Sequence, residues 1–133
     1  MLSLSEYINE IRNAKTNEGL HSIISKEMAN IRSLPKEQNT TEVKYINLKK
    51  CIYTRILSEN EELSFIYMTC IDLLASPEFK YKKLAYLGLT IFFDENSELL
   101  MLTVNVIKKD LLNENEFIVI TALNAISILF LII

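Results

Sequence analysis

His21, Cys51 and Cys70 are the side chains best suited to hold a metal, and their types and spacing do not make a site. A zinc centre draws about four ligands into one cluster, which one histidine and two widely spaced cysteines cannot supply. The two thiols are expected to be reduced and buried, and His21 to be structural. Gly19 and Gly88 stand alone, whereas a phosphate-cradling loop needs several glycines followed by Lys and Ser or Thr. Gly88 is expected to let two helices approach closely, against a cost of ~1 kcal/mol for glycine inside a helix. The carboxylate pairs Glu61-Glu62 and Asp94-Glu95 sit where helices should begin, and the helix dipole accounts for them there. These residues predict no catalytic constellation, no cofactor and no metal.

Composition narrows the class further. In 133 residues, half are hydrophobic while only 2 are Gly and 2 Pro, which excludes a disordered chain and a turn-rich all-β fold. A formal net charge of -3 gives no general basic footprint for nucleic acid. The N-terminal MLSLSEYINEIR lacks the basic start and apolar run of a secretory signal, and no stretch reaches the ~18 apolar residues of a membrane span. A soluble intracellular protein is expected.

The spacing of apolar residues predicts helices in sequence. A first, over 4–14, carries Tyr7, Ile8 and Ile11 on one side, with Ser3 or Ser5 as N-cap. Thr16 opens a second whose stripe is Leu20, Ile23, Ile24, Met28 and Ile31, ending before Pro35. The polar run KEQNTTE, 36–42, is the expected loop and the expected place for mobility. A third helix, 41–57, places Tyr45, Leu48, Ile52 and Ile56 on one side and Lys44, Asn47, Lys50, Thr54 and Arg55 on the other, so the second side should face water. Lys49 points to the apolar side and should snorkel. After a polar break at 58–62 come a fourth helix, 63–75, and a boundary at Pro77. A helical hairpin spans 82–112, its elbow at 94–97 capped by Asp94, Asn96 or Ser97. Beyond a break at 113–115, a seventh helix runs over 116–133.

Helices three, five and seven begin near Thr41, Phe79 and Glu116, a spacing of roughly 37 residues that matches helical-repeat units. With more apolar faces than one hairpin can bury, the fold class is all-α, an α-α superhelix of HEAT or armadillo type with about seven helices. A closed bundle is the alternative. The apolar run 122–133 has no polar cap, so the solenoid reads as truncated at its C-terminal end and residues 1–133 as the N-terminal part of a trunk domain. Self-association through this run is expected, and charged residues at Leu129 and Phe130 are expected to reduce it.

Several segments together carry a family resemblance: Ile11-Arg12-Asn13-Ala14-Lys15, Lys26-Glu27-Met28-Ala29-Asn30-Ile31-Arg32-Ser33, Leu74-Ala75-Ser76, Lys83-Leu84-Ala85-Tyr86-Leu87-Gly88 and Asn105-Val106-Ile107-Lys108-Lys109-Asp110-Leu111. In order and spacing the chain resembles the N-terminal trunk of an adaptin large chain, of gamma or alpha type with epsilon-like features, from clathrin-associated adaptor complexes. The resemblance implies a right-handed superhelical, non-catalytic subunit that acts in vesicle-mediated protein transport. Its implied partners are a second large chain, medium and small chains, an Arf-family GTPase and a phosphoinositide membrane surface. The implied location is peripheral, on coated vesicles of Golgi, endosome or plasma membrane.

Residue by residue, Lys50 falls where an alpha-type phosphoinositide lysine stands, with Lys44 at the edge of the same stretch. Tyr45 and Ile46 replace further family lysines and remove much of that charge. Met68, Ile71 and Leu102 match apolar positions that meet the GTPase in gamma-type chains. The other functional class is a generic helical-repeat scaffold outside vesicle traffic. Co-purification of medium, small and second large adaptin chains would separate the two.

Overall fold

A computed structural model describes residues 1–92 and 98–132, with the backbone alone for 98, 99 and 130–132. Among the described residues the chain forms seven α-helices and no strand. It divides into two compact units, Met1–Glu61 and Glu62–Ile133.

The first unit holds α1 (Leu4–Asn13), α2 (Asn17–Arg32) and α3 (Thr41–Leu57), each touching the other two. Each start is set by a hydroxyl that satisfies an N–H left open in the first turn. Ser3 accepts from the Glu6 N–H while the Glu6 carboxylate accepts from the Ser3 N–H, a complete capping box. Thr16 accepts from Gly19 N–H at 3.0 Å without the return bond that an acidic residue at position 19 would supply. Thr40 does the same for Val43 at 3.3 Å. The expected loop contains a short 3₁₀ turn, Lys36–Gln38, directly after Pro35. Tyr7, Ile11, Ile24, Met28, Leu48, Cys51 and Ile52 fill the space between the helices.

In the second unit a 3₁₀ turn, Ser64–Ile66, leads into α4 (Tyr67–Leu74), so the expected fourth helix is in part this tighter turn. There follow α5 (Phe79–Phe92), α6 (Glu98–Leu111) and α7 (Glu116–Ile132). The elbow expected at 94–97, with its caps, lies outside the described residues. α5 packs against α4 and α7, and α6 packs against α4 and α7. Ring pairs give the directions. Tyr67 at the start of α4 meets Phe92 at the end of α5 (6.1 Å between centroids), so these helices are antiparallel. Phe79 and Phe117, near the starts of α5 and α7, lie 6.0 Å apart, so alternate helices are parallel. That alternation is how a stacked α-α repeat is built, each layer burying its apolar face on the next. Leu73, Leu74, Ala85 and Leu89 are fully enclosed, and each large side chain among them contributes about 1.5–3 kcal/mol by leaving water.

α7 turns inward a narrow line of Ile118, Ala122, Ala125 and Leu129, whose small central residues permit close packing. Phe117, Ile120, Leu123 and Ile128 stay exposed on the same helix. Leu129 is thus part of the core at 6% exposure, and a charge there would break the packing rather than tame the surface; Phe130 and Ile133 lie outside the described side chains. Replacing Ile120 and Leu123 by Glu should therefore lower self-association of this chain with little loss of stability. Light scattering on a gel-filtration concentration series checks this: the original chain should grow in apparent mass with concentration, and the variant should not.

Candidate functional site

The polar side of α3 is the first place where chemistry was expected, and it faces inward. Lys50 is 1% exposed and its Nζ lies 2.9 Å from Oε1 of Glu27, a residue equally buried on α2. The same ammonium donates to the Leu2 carbonyl, and the Leu2 N–H donates back to Glu27 Oε1 at 3.2 Å. Thr54 and Asn47 are buried as well. The expectation that the Lys50 side of α3 faces water is corrected here: a buried charge needs a partner, and Glu27 is that partner. Lys44 is half-buried one and a half turns earlier, while Ile56, expected inside, is 71% exposed. Lys49 sits 4.3 Å over the Tyr45 ring, its ammonium held by the aromatic face.

Thr54 continues this inner polar line. Its hydroxyl donates to the Lys50 carbonyl at 2.8 Å and lies 2.6 Å from the Tyr7 hydroxyl. Burial, partly offset by the Thr54 hydrogen bond, pushes the Tyr7 phenol up to about 12. Folding thus favours the neutral phenol. The stability this contributes is whole below about pH 10, the ordinary phenol value, and is lost as pH rises through 12. Urea unfolding between pH 9 and 12 should show a loss of about 2–3 kcal/mol from this residue, and Tyr7→Phe should flatten that part of the profile.

The second unit has its own buried polar cluster. Lys82 Nζ lies 2.9 Å from Asp110 Oδ1 and donates to the Leu74 carbonyl at 2.7 Å. The Tyr86 hydroxyl donates to Asp110 Oδ2 at 2.5 Å, and burial followed by this bond raises its pKa far above the ordinary value. α4, α5 and α6 are pinned together at one point. The cluster is enclosed by the described residues, with Lys82 and Asp110 6% and 3% exposed. Burial pushes the Cys70 thiol up to about 12, which removes its nucleophilic form at neutral pH. Among the described residues no group of acids, histidines and cysteines could hold a metal.

What the second unit presents outward is apolar. With Cys70, Leu73 and Leu74 directed into the core, α4 leaves Met68 53% exposed and Ile71 half-buried. α6 buries Thr103 and Asp110, leaving Leu102 at 55% and Met101 at 74%. The three apolar positions matched by resemblance thus lie at least partly at the surface, on two helices that touch each other. Met101 was missed in the sequence. Only the burial of Thr103, a polar residue at an inner position, fixes the rotation that turns Met101 out.

This arrangement has relatives. The model of the adaptin N terminal region matches residues 20–130. The chain belongs to the adaptin family. It is 37% identical over 116 residues to the AP-1 complex subunit gamma of Dictyostelium discoideum, covering 87% of this chain and 13% of that protein. Against AP-1 complex subunit gamma-1 of Arabidopsis thaliana it is 37% identical over 123 residues, 92% of this chain and 14% of the relative. Against AP-2 complex subunit alpha-2 of Dictyostelium discoideum it is 34% identical over 130 residues, 95% and 13% respectively. This adaptin chain therefore spans about a seventh of the length of the relatives it matches. The match covers both units, and the all-α repeat seen here is the fold that the resemblance implied. Among the described residues no helix is long and apolar enough to cross a membrane.

Proposed function

We propose that this chain is a segment of the trunk of an adaptor-complex large subunit and acts, without catalysis, in vesicle-mediated intracellular protein transport. One observation carries this: a family match over residues 20–130, shared with gamma subunits of AP-1 and an alpha subunit of AP-2. Its partners on this reading are the second large, medium and small chains, an Arf-family GTPase in its GTP form, and a phosphoinositide surface. It works peripherally on coated vesicles at the Golgi, endosomes or plasma membrane, and contributes to coat assembly and recruitment.

GTPase contact is assigned to Met68, Ile71 and Leu102, supported by the exposure of Met68 and Leu102 on adjacent helices. Burying such side chains against a partner is worth about 1.5–3 kcal/mol each. Met68→Glu with Leu102→Glu should then weaken capture of a GTP-loaded Arf-family GTPase at least tenfold while leaving helicity unchanged. Equal capture by the variant would remove this surface from the assignment. Lys44 alone remains assigned to the lipid surface, where one basic residue contributes about 1 kcal/mol. Lys44→Ala, measured against phosphoinositide vesicles at low salt, tests that part.

A further inference from the structure

Residues 59–63 form a joint that belongs to no helix, and side chains of the first unit hold its 59–61 part closely. Arg55, in the last turn of α3, donates from Nη1 to the Glu59 carbonyl at 2.7 Å and from Nη2 to the Glu61 carbonyl at 3.0 Å. The two arms of one guanidinium thus bridge two carbonyls of the same short stretch, a rigid fork that a lysine could not reproduce. From the other side, His21 on α2 places Nδ1 3.0 Å from Glu61 Oε1. The Glu61 side chain is 17% exposed and that of His21 62%, so solvent protons reach the imidazole while the carboxylate stays in place. On the far end Glu62 accepts the Ser64 N–H at 2.8 Å and fixes the entry to the turn before α4.

We infer that His21, Glu61 and Arg55 form a pH-responsive clasp on the joint, with Arg55 as its constant part and His21 as its switched part. Imidazoles change charge between about pH 5 and 8, and only the imidazolium makes a full ion pair with a carboxylate. The clasp is then tighter on the acid side of that range and looser on the alkaline side, as long as Glu61 stays ionised. Near His21 and Glu61 along the chain stand Glu18, one helical turn before His21, and Glu59 and Glu62 in the joint, while the Glu61 charge also acts on the Tyr7 phenol of α1. Lys50 and Glu27, on α3 and α2, are committed to each other. Among side-chain types, histidine is the one that ordinarily changes charge between about pH 5 and 8. Because the pair is open to water, the switched part is modest, about two- to fivefold in the opening equilibrium of the joint.

Amide hydrogen exchange of the whole chain, read on peptides covering 59–64 and corrected for intrinsic rates, tests the clasp. Protection there should rise about two- to fivefold from pH 7.5 to pH 5.5. His21→Gln should make the profile flat, and Arg55→Gln should lower protection at both pH values while keeping its slope. Peptides from the middle of α2 and α3 should stay unchanged in both variants. A flat profile in the original chain, or an undiminished slope in His21→Gln, overturns the switch; full protection of 59–64 in Arg55→Gln overturns the clasp.

Discussion

Asp110→Ala should destabilise this protein by about 3–5 kcal/mol, because it strands a lysine ammonium in the core with no counter-charge. Lys82 is 6% exposed, and Asp110 is its only carboxylate partner among the described residues. The Tyr86 hydroxyl would lose its acceptor in the same step. Domains of this size are stable by roughly 5–15 kcal/mol, so the change takes a large fraction of the total and should show as a sharp fall in the urea midpoint. The triple change Lys82→Met, Tyr86→Phe, Asp110→Leu removes the ammonium, the phenol hydroxyl and the carboxylate at once. It should recover most of the loss, since apolar side chains of similar volume often replace a buried pair without penalty. If the triple variant is no more stable than Asp110→Ala alone, the loss comes from helix packing and not from the stranded charge.

The second large effect is expected at Lys50. Lys50→Ala leaves Glu27 buried against the Leu2 backbone without its cation, and should cost about 3–5 kcal/mol, seen as a fall of roughly 10–20 °C in Tm. Glu27→Leu combined with Lys50→Met should restore much of it. Loss of vesicle binding in Lys50→Ala would therefore report unfolding unless it were measured well below the new transition. A Lys50→Ala protein that kept its Tm would mean that the ammonium is not held as described here.

Helix positions were legible because their determinants are local: Ser3, Thr16 and Thr40 cap within four residues, and Pro35 and Pro77 stop the helices before them. The apolar stripe of α2 told its burial correctly at Ile24, Met28 and Ile31. The polar arc of α3 did not, for a physical reason. Its partners sit far away along the chain, Glu27 and Tyr7 on two other helices, and a helical wheel gives polarity without saying whether a distant group will satisfy it. Two residues carried a hint. Glu27 interrupts the inward stripe between Ile24 and Met28, and Asp110 lies in the last turn of α6, where the helix dipole disfavours an acid. A charge placed against both hydrophobic pattern and dipole signals a buried counter-ion. The exposure of Met68 on α4 and Leu102 on α6 was legible through resemblance alone, since exposed and core apolar residues share the same spacing.

The buried Lys82–Asp110 and Lys50–Glu27 pairs also constrain how this chain can drift. Each pair has its two members on different helices, so a mutation in either codon first passes through a protein with one orphaned ion, a step that selection for folding opposes. Crossing from a salt bridge to a hydrophobic contact requires two near-simultaneous changes at positions 23 and 28 residues apart. Within a lineage the partners should be inherited and exchanged together, while the exposed residues of α7 vary one at a time.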